Sequence, residues 1–152
     1  MPQSFAQIYL HIVFSTKYRQ PLILPEIEDK LYAYIAGIIK KLGGIPIQIN
    51  GMPDHIHILA TLPRTITIAK YLEEIKRNSS RWIKTQGILY QHFAWQNGYG
   101  AFSVSQSQTN RVDRYIRNQK VHHKRQDTFK REFEALLKKH NLEYEKEYLW
   151  KK

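Results

Sequence analysis

The sequence predicts an α+β fold of the split βαβ, ferredoxin-like kind: an antiparallel sheet with helices on one face, followed by C-terminal helices. Three observations predict it. Four short runs are rich in β-formers. Two amphipathic helical stretches separate the first run from the second and the third from the fourth, and only turn chemistry separates the second from the third. Helical periodicity resumes after the fourth run.

Phe5 to Ser15 (FAQIYLHIVFS) alternates loosely and reads as a strand, followed by the basic loop TKYRQP. Pro25 opens a helix whose first turns carry Glu26, Glu28 and Asp29, acids that suit the positive end of the helix dipole. Leu31, Ile35, Ile38 and Ile39 recur at helical spacing until Gly43-Gly44 ends the helix. Ile45 to Asn50 and His55 to Leu62 read as strands joined by the turn Gly51-Met52-Pro53-Asp54, hence a hairpin. From Thr67 to about Lys84 a second helix lines Ile68, Tyr71, Leu72 and Ile75 along one face, with Lys76, Arg77, Arg81 and Lys84 making its later half basic. The fourth strand region, Phe93 to Ser105, is broken by Gly98 and Gly100, which suggest a bulge or tight bend. A helix over about 109–123 is expected to be capped by Thr109 or Asn110, and a last helix over about 127–140 by Asp127 or Thr128. The tail EYEKEYLWKK gives no clear pattern. No repeat, low-complexity tract or linker divides the chain, so residues 1–152 are expected to form a single domain.

Lys and Arg number 24 against 13 acidic residues, a formal charge of +11, which favours polyanionic partners and nucleic acid first among them. Ten tyrosines among these cations would suit unpaired bases, which stack on aromatic faces. Hydrophobic residues make up 42% of the chain, so disorder is excluded as the default. No apolar run is long enough to span a bilayer, and MPQSFAQIYL lacks the layout of a secretory signal; a cytoplasmic location is expected. With no cysteine, disulfides and thiolate metal sites are ruled out.

His55-Ile56-His57 carries the first chemical signal. Residues two apart in a strand share a face, so both imidazoles point one way and Ile56 and Ile58 the other, and two imidazoles on a rigid strand can bind one divalent ion. Asp54, as the neighbour of His55, is expected to face away and is not enlisted. Tyr115 and Gln119 lie four apart on a helical stretch and share a face, with His122 continuing the stripe and Val112 and Ile116 on an apolar one. A phenol is a weak nucleophile because its ordinary pKa is about 10, and attack on a phosphodiester needs a cation to neutralise the developing charge. Metal site, phenol and basic surface together therefore point to strand cleavage. Phosphate contacts are expected from Lys17, Arg19, Lys76, Arg77 and Arg81. Two other readings stay open: a non-catalytic single-stranded nucleic-acid-binding module on the sheet, and a metal-dependent phosphoesterase, against which the lack of an evident carboxylate cluster speaks.

At these residues the chain resembles the single-tyrosine transposases of the HUH class, the insertion-sequence-200/605-like group that includes the relatives associated with repetitive extragenic palindromes. The resemblance is carried by GMPDHIHIL, YIRNQKVHH, IKRNSSRWIK, WQNGYGAFSVS and STKYRQP, in that family's order, and spans about Tyr9 to Leu137. It implies that His55 and His57 are metal ligands with Gln119 as the third; histidine with an amide oxygen and water suits Mg²⁺ or Mn²⁺. It implies that Tyr115 attacks a DNA phosphate, leaving a 5′-phosphotyrosine and a free 3′-hydroxyl. The implied substrates are single strands with imperfect hairpins near element ends, in a bacterial or archaeal cytoplasm. It further implies a homodimer in which the tyrosine helix can complete the partner's site; exposed sheet edges and the SQSQTN stretch fit that arrangement. His122 and His123 are read as DNA-facing or structural.

Overall fold

The computed structural model describes residues 2–124 and 128–150. Its strands are β1 (Tyr9–Ser15), β2 (Pro46–Met52), β3 (His55–Thr61) and β4 (Gly100–Val104). Its helices are α1 (Glu28–Lys41), α2 (Ile68–Ile83), α3 (Thr109–Arg117), α4 (Gln119–Lys124), α5 (Phe129–Lys139) and the single turn α6 (Lys146–Leu149). The strands form one sheet in the order β2-β3-β1-β4 with every neighbouring pair antiparallel, which is the ferredoxin-like order.

Strand alternation decides what each face does. Leu10, Ile12 and Phe14 of β1 and Ile56, Ile58 and Ala60 of β3 point to one side. There they pack with Leu31, Ile35 and Ile39 of α1 and Tyr71, Leu72 and Ile75 of α2. Burying each such Leu or Ile contributes roughly 1.5–3 kcal/mol, so this layer anchors β1 and β3 at the middle of the sheet.

The opposite face is not left bare. Val13 and Leu59 on that side are buried, and apolar groups there need cover. Phe129, Phe133, Leu136 and Leu137 of α5 supply it around Val13 and Phe102, in a second cluster. At Gly100 a Cβ would lie 2.7 Å from Phe133 Cε1, so glycine at this position lets α5 approach β4.

The fourth strand region divides. Phe93 and Trp95 belong to the first core, with the Trp95 indole donating to Ser79 Oγ at 3.0 Å. Gly98 then turns the chain at φ +89 before β4 begins. The expected helix over 109–123 is also two helices. Asn50 on β2 donates its side-chain amide to the carbonyls of Ile116 and Arg117, each at 3.1 Å, which takes two last-turn acceptors of α3. The chain bends at Asn118 and α4 follows. Neither Thr109 nor Asn110 caps α3, which grows out of a 3-10 turn at Gln106–Gln108 with no side-chain cap. Thr128 caps α5 by accepting from Arg131 N, while Asp127, the other expected cap, lies outside the described residues.

Candidate metal and tyrosine site

His55 and His57 sit on β3, held between β2 and β1, and both are fully buried on the face that α3, α4 and α5 cover. Their Nε2 atoms converge on one carboxylate oxygen: Glu132 Oε1 lies 2.9 Å from His57 and 3.1 Å from His55. The other oxygen, Oε2, accepts from the Tyr115 hydroxyl and from Gln119 Nε2, the latter at 2.9 Å. Gln119 Oε1 approaches His55 Nε2 at 3.2 Å. Despite the break at Asn118, then, Tyr115 and Gln119 do reach the same place, and the sequence-predicted quartet His55, His57, Tyr115 and Gln119 comes together. The Tyr115 ring lies 5.7 Å from that of His57 in the same chain.

The far nitrogen of each β3 histidine is also engaged. Asp54 Oδ1 lies 2.7 Å from His55 Nδ1, although strand alternation had turned it away. Asp54 belongs to the turn before β3, so alternation does not apply to it. His57 Nδ1 lies 2.8 Å from Nε2 of His11, a buried residue of β1 not singled out by its sequence. Such partners set the tautomer and orientation of metal-binding imidazoles.

Charge follows this geometry. Burial works to lower the His55 pKa, but hydrogen bonds that its ring donates to Asp54 and Glu132 outweigh it and raise the value to about 9. Burial likewise works to raise the Glu132 carboxyl, yet hydrogen bonds from His55 and His57 hold it well below the usual carboxylate range. Burial first, and the neighbouring His57 second, push His11 well below its ordinary value, so His11 is neutral.

The donor atoms of His55, His57 and Glu132 all lie within 4.8 Å of one another, close enough for one ion to touch all three. Two imidazoles, a carboxylate and the Gln119 amide oxygen make a mixed N/O set suited to a divalent cation. Glu132 was missed because it lies 75 residues from His57 and nothing local distinguishes it from other helix glutamates.

The cations expected to meet phosphate are placed variously. Lys76 reaches the carbonyls of Gln96 and Gly98 at 2.6 and 2.8 Å, and burial lowers its pKa to about 8. Arg77 pairs with Glu73 and Glu74, and Arg81 is exposed on the same helix. Lys17 lies over the Tyr18 ring and Arg19 over the Trp150 ring. The side chains of His122 and His123 lie outside the described residues.

Comparison with known proteins decides the family. The family model described as "Transposase IS200 like" matches residues 4–119, most of the chain. The chain belongs to the IS200-like transposase family. The ISDra2 transposase TnpA of Deinococcus radiodurans is 25% identical over 118 residues, covering 74% of this chain and 84% of that protein. Among solved structures, a D. radiodurans R1 protein assigned as a transposase superposes with TM-score 0.60 at 22% identity, covering 76% of this chain and 93% of the other. A REP-associated tyrosine transposase bound to a REP hairpin also superposes with TM-score 0.60, at 16% identity, covering 80% and 72%. Both superpositions share the four-stranded antiparallel sheet described above. Among the described residues no helix is long and apolar enough to cross a membrane.

Proposed function

We propose that this IS200-like protein cuts and rejoins single-stranded DNA through a 5′-phosphotyrosine on Tyr115, at sites flanked by imperfect hairpins. One observation carries the reading: the Tyr115 hydroxyl, both β3 imidazoles and the Gln119 amide meet on the two oxygens of Glu132. His55, His57 and Gln119, joined by Glu132, would hold Mg²⁺ or Mn²⁺, which when bound supplies positive charge to the phosphoryl oxygens. Tyr115 Oη attacks phosphorus and its proton passes to Glu132 Oε2, the oxygen it already donates to. The bond to the 3′-oxygen breaks, and that oxygen leaves as a 3′-hydroxyl after taking a proton from water. The phosphotyrosine keeps the energy of the broken bond, so the reverse attack by a 3′-hydroxyl rejoins strands.

The choice of hairpin DNA is supported by the hairpin in the related REP-associated structure. A homodimer is supported by β4, an edge strand that among the described residues pairs only with β1.

Glu132 also favours a second reading, since a carboxylate beside two histidines suits a phosphoesterase that activates water. The two readings part on one incubation. With Mn²⁺ and a hairpin-bearing single strand, the unmodified protein should form a DNA adduct stable to denaturation, and Tyr115→Phe should form none while still binding the DNA. Cleavage without an adduct would mark a hydrolase. Binding without cleavage would mark a non-catalytic single-strand module.

A further inference from the structure

Beside Tyr115 a cleft of about 570 Å³ opens between α3 and α5. Its walls are built by helical spacing: Arg111, Val112 and Tyr115 share one side of α3, while Arg131, Ala135 and Lys139 follow one another at four-residue steps along α5. Val112, Ala135 and Leu136 give it an apolar surface. Arg111, Arg131 and Lys139 form no ion pair among the described residues, whereas Arg77 and Arg117 are paired with acids on their own helices. The cleft is therefore apolar in its walls and cationic at its lining, with a phenol and a carboxylate at its inner end.

We propose that this cleft is a nucleotide subsite, taking the base of the nucleotide next to the attacked phosphate against Val112, Ala135 and Leu136 and its phosphate among Arg111, Arg131 and Lys139. Three observations support that occupant. The volume falls within the range of small-ligand sites. A nucleotide offers both an apolar ring face and an anionic phosphate, and the cleft is complementary to both; an inorganic anion would use only its cations, and a purely apolar ligand would leave them unpaired. The cleft also reaches Tyr115 itself, so a nucleotide seated there would align the neighbouring phosphodiester with the phenol. The identity of the bound nucleotide as a neighbour of the cleaved phosphate rests on Tyr115 being the nucleophile; binding in the cleft does not.

The test is calorimetric titration of the full, metal-free chain with thymidine 3′,5′-bisphosphate, with inorganic phosphate and thymidine run separately. The bisphosphate should bind at least tenfold more tightly than either. Ala135→Trp, which fills the cleft from an exposed position, and Arg131→Ala should each weaken it at least fivefold; Lys30→Ala, at an exposed position of α1, should not. Tyr115→Phe should retain bisphosphate binding while losing the DNA adduct. Inorganic phosphate binding as tightly as the bisphosphate would reduce the cleft to a basic patch and overturn the proposal. So would unchanged affinity in an Ala135→Trp protein that melts normally, and should that variant fail to fold, unchanged affinity in Arg131→Ala overturns it. Bisphosphate binding with these variant effects but no adduct from the unmodified protein would leave the subsite standing and remove Tyr115 as nucleophile.

Discussion

His55 and His57 and their partner Glu132 reach the same point from different kinds of structure. The histidines sit on β3, hydrogen-bonded to strands on both sides and backed by the first core. Glu132 sits on α5, which docks through Phe129, Phe133, Leu136 and Leu137 and lies beyond residues 4–119 that the family model matches. Ladder hydrogen bonds fix a side chain's direction through the backbone, whereas a docked helix holds its position through side-chain contacts, chiefly apolar packing. The β3 pair should therefore decide whether the chemistry runs, and α5 should set how well metal and DNA fit.

The largest effect should come from β3. His57→Ala should lower DNA cleavage on the order of a thousandfold, comparable to removing a group that stabilises developing charge in a buried site. It should also abolish Mn²⁺ binding by calorimetry and lower the melting temperature, because His11 and Glu132 lose their shared partner. Glu132→Gln keeps the shape and removes the charge. Its cleavage should fall roughly a hundredfold, the usual scale for a proton acceptor, with measurable Mn²⁺ binding remaining. A Glu132→Gln loss as large as that of His57→Ala would erase the distinction between strand and helix.

Asp54→Asn should cost roughly tenfold in metal affinity, as expected for a group that orients a ligand without touching the ion.

The pH dependence differs between the empty and loaded protein. The folded His55 pKa of about 9 exceeds its ordinary 6.5, so its contribution to stability is fully present below 6.5 and lost as pH rises through about 9. That contribution is on the order of 3 kcal/mol, and the melting temperature of the metal-free protein should fall across this window. Metal ligation needs the His55 Nε2 lone pair, so Mn²⁺ affinity should rise over the same window. Asp54→Asn should flatten both curves. A metal-free protein whose melting temperature rises from pH 6.5 to 9 would contradict the charge assignment.

The smallest effect concerns phosphate contacts. For single strands each contact adds roughly −0.7 to the slope of log affinity against log salt. Arg131→Ala should reduce the slope by about one such contact, and Arg77→Ala by less, because Glu73 and Glu74 already neutralise it. Equal slopes for the two variants would remove the α5 cations from the DNA path.

The same contrast explains what could be read in the sequence. Period-two alternation around HIH set the direction of both imidazoles, while the period-four spacing that paired Tyr115 with Gln119 assumed one helix where the chain has two, and the two side chains meet across the break at Asn118. His11 carried the same strand signal but stood alone in it. Asp54 was misjudged because the strand rule was extended one residue into a turn. Glu132 had no local signal at all, since its role arises only when α5 packs against Val13 and Phe102. The cover over the second sheet face has the same cause: a last helix was legible, but the surface it docks on was not. The helix break at Asn118 depends on Asn50, a contact 66 and 67 residues distant from the carbonyls it takes.

The most direct measurement is peptide mapping of the protein after reaction with a hairpin-bearing single strand and Mn²⁺, followed by nuclease trimming and mass spectrometry. The account predicts a nucleotide joined through its 5′-phosphate to Tyr115 and a matching DNA fragment ending in a 3′-hydroxyl. Cleaved DNA with Tyr115 unmodified, or a phosphate linked to another residue, would contradict it.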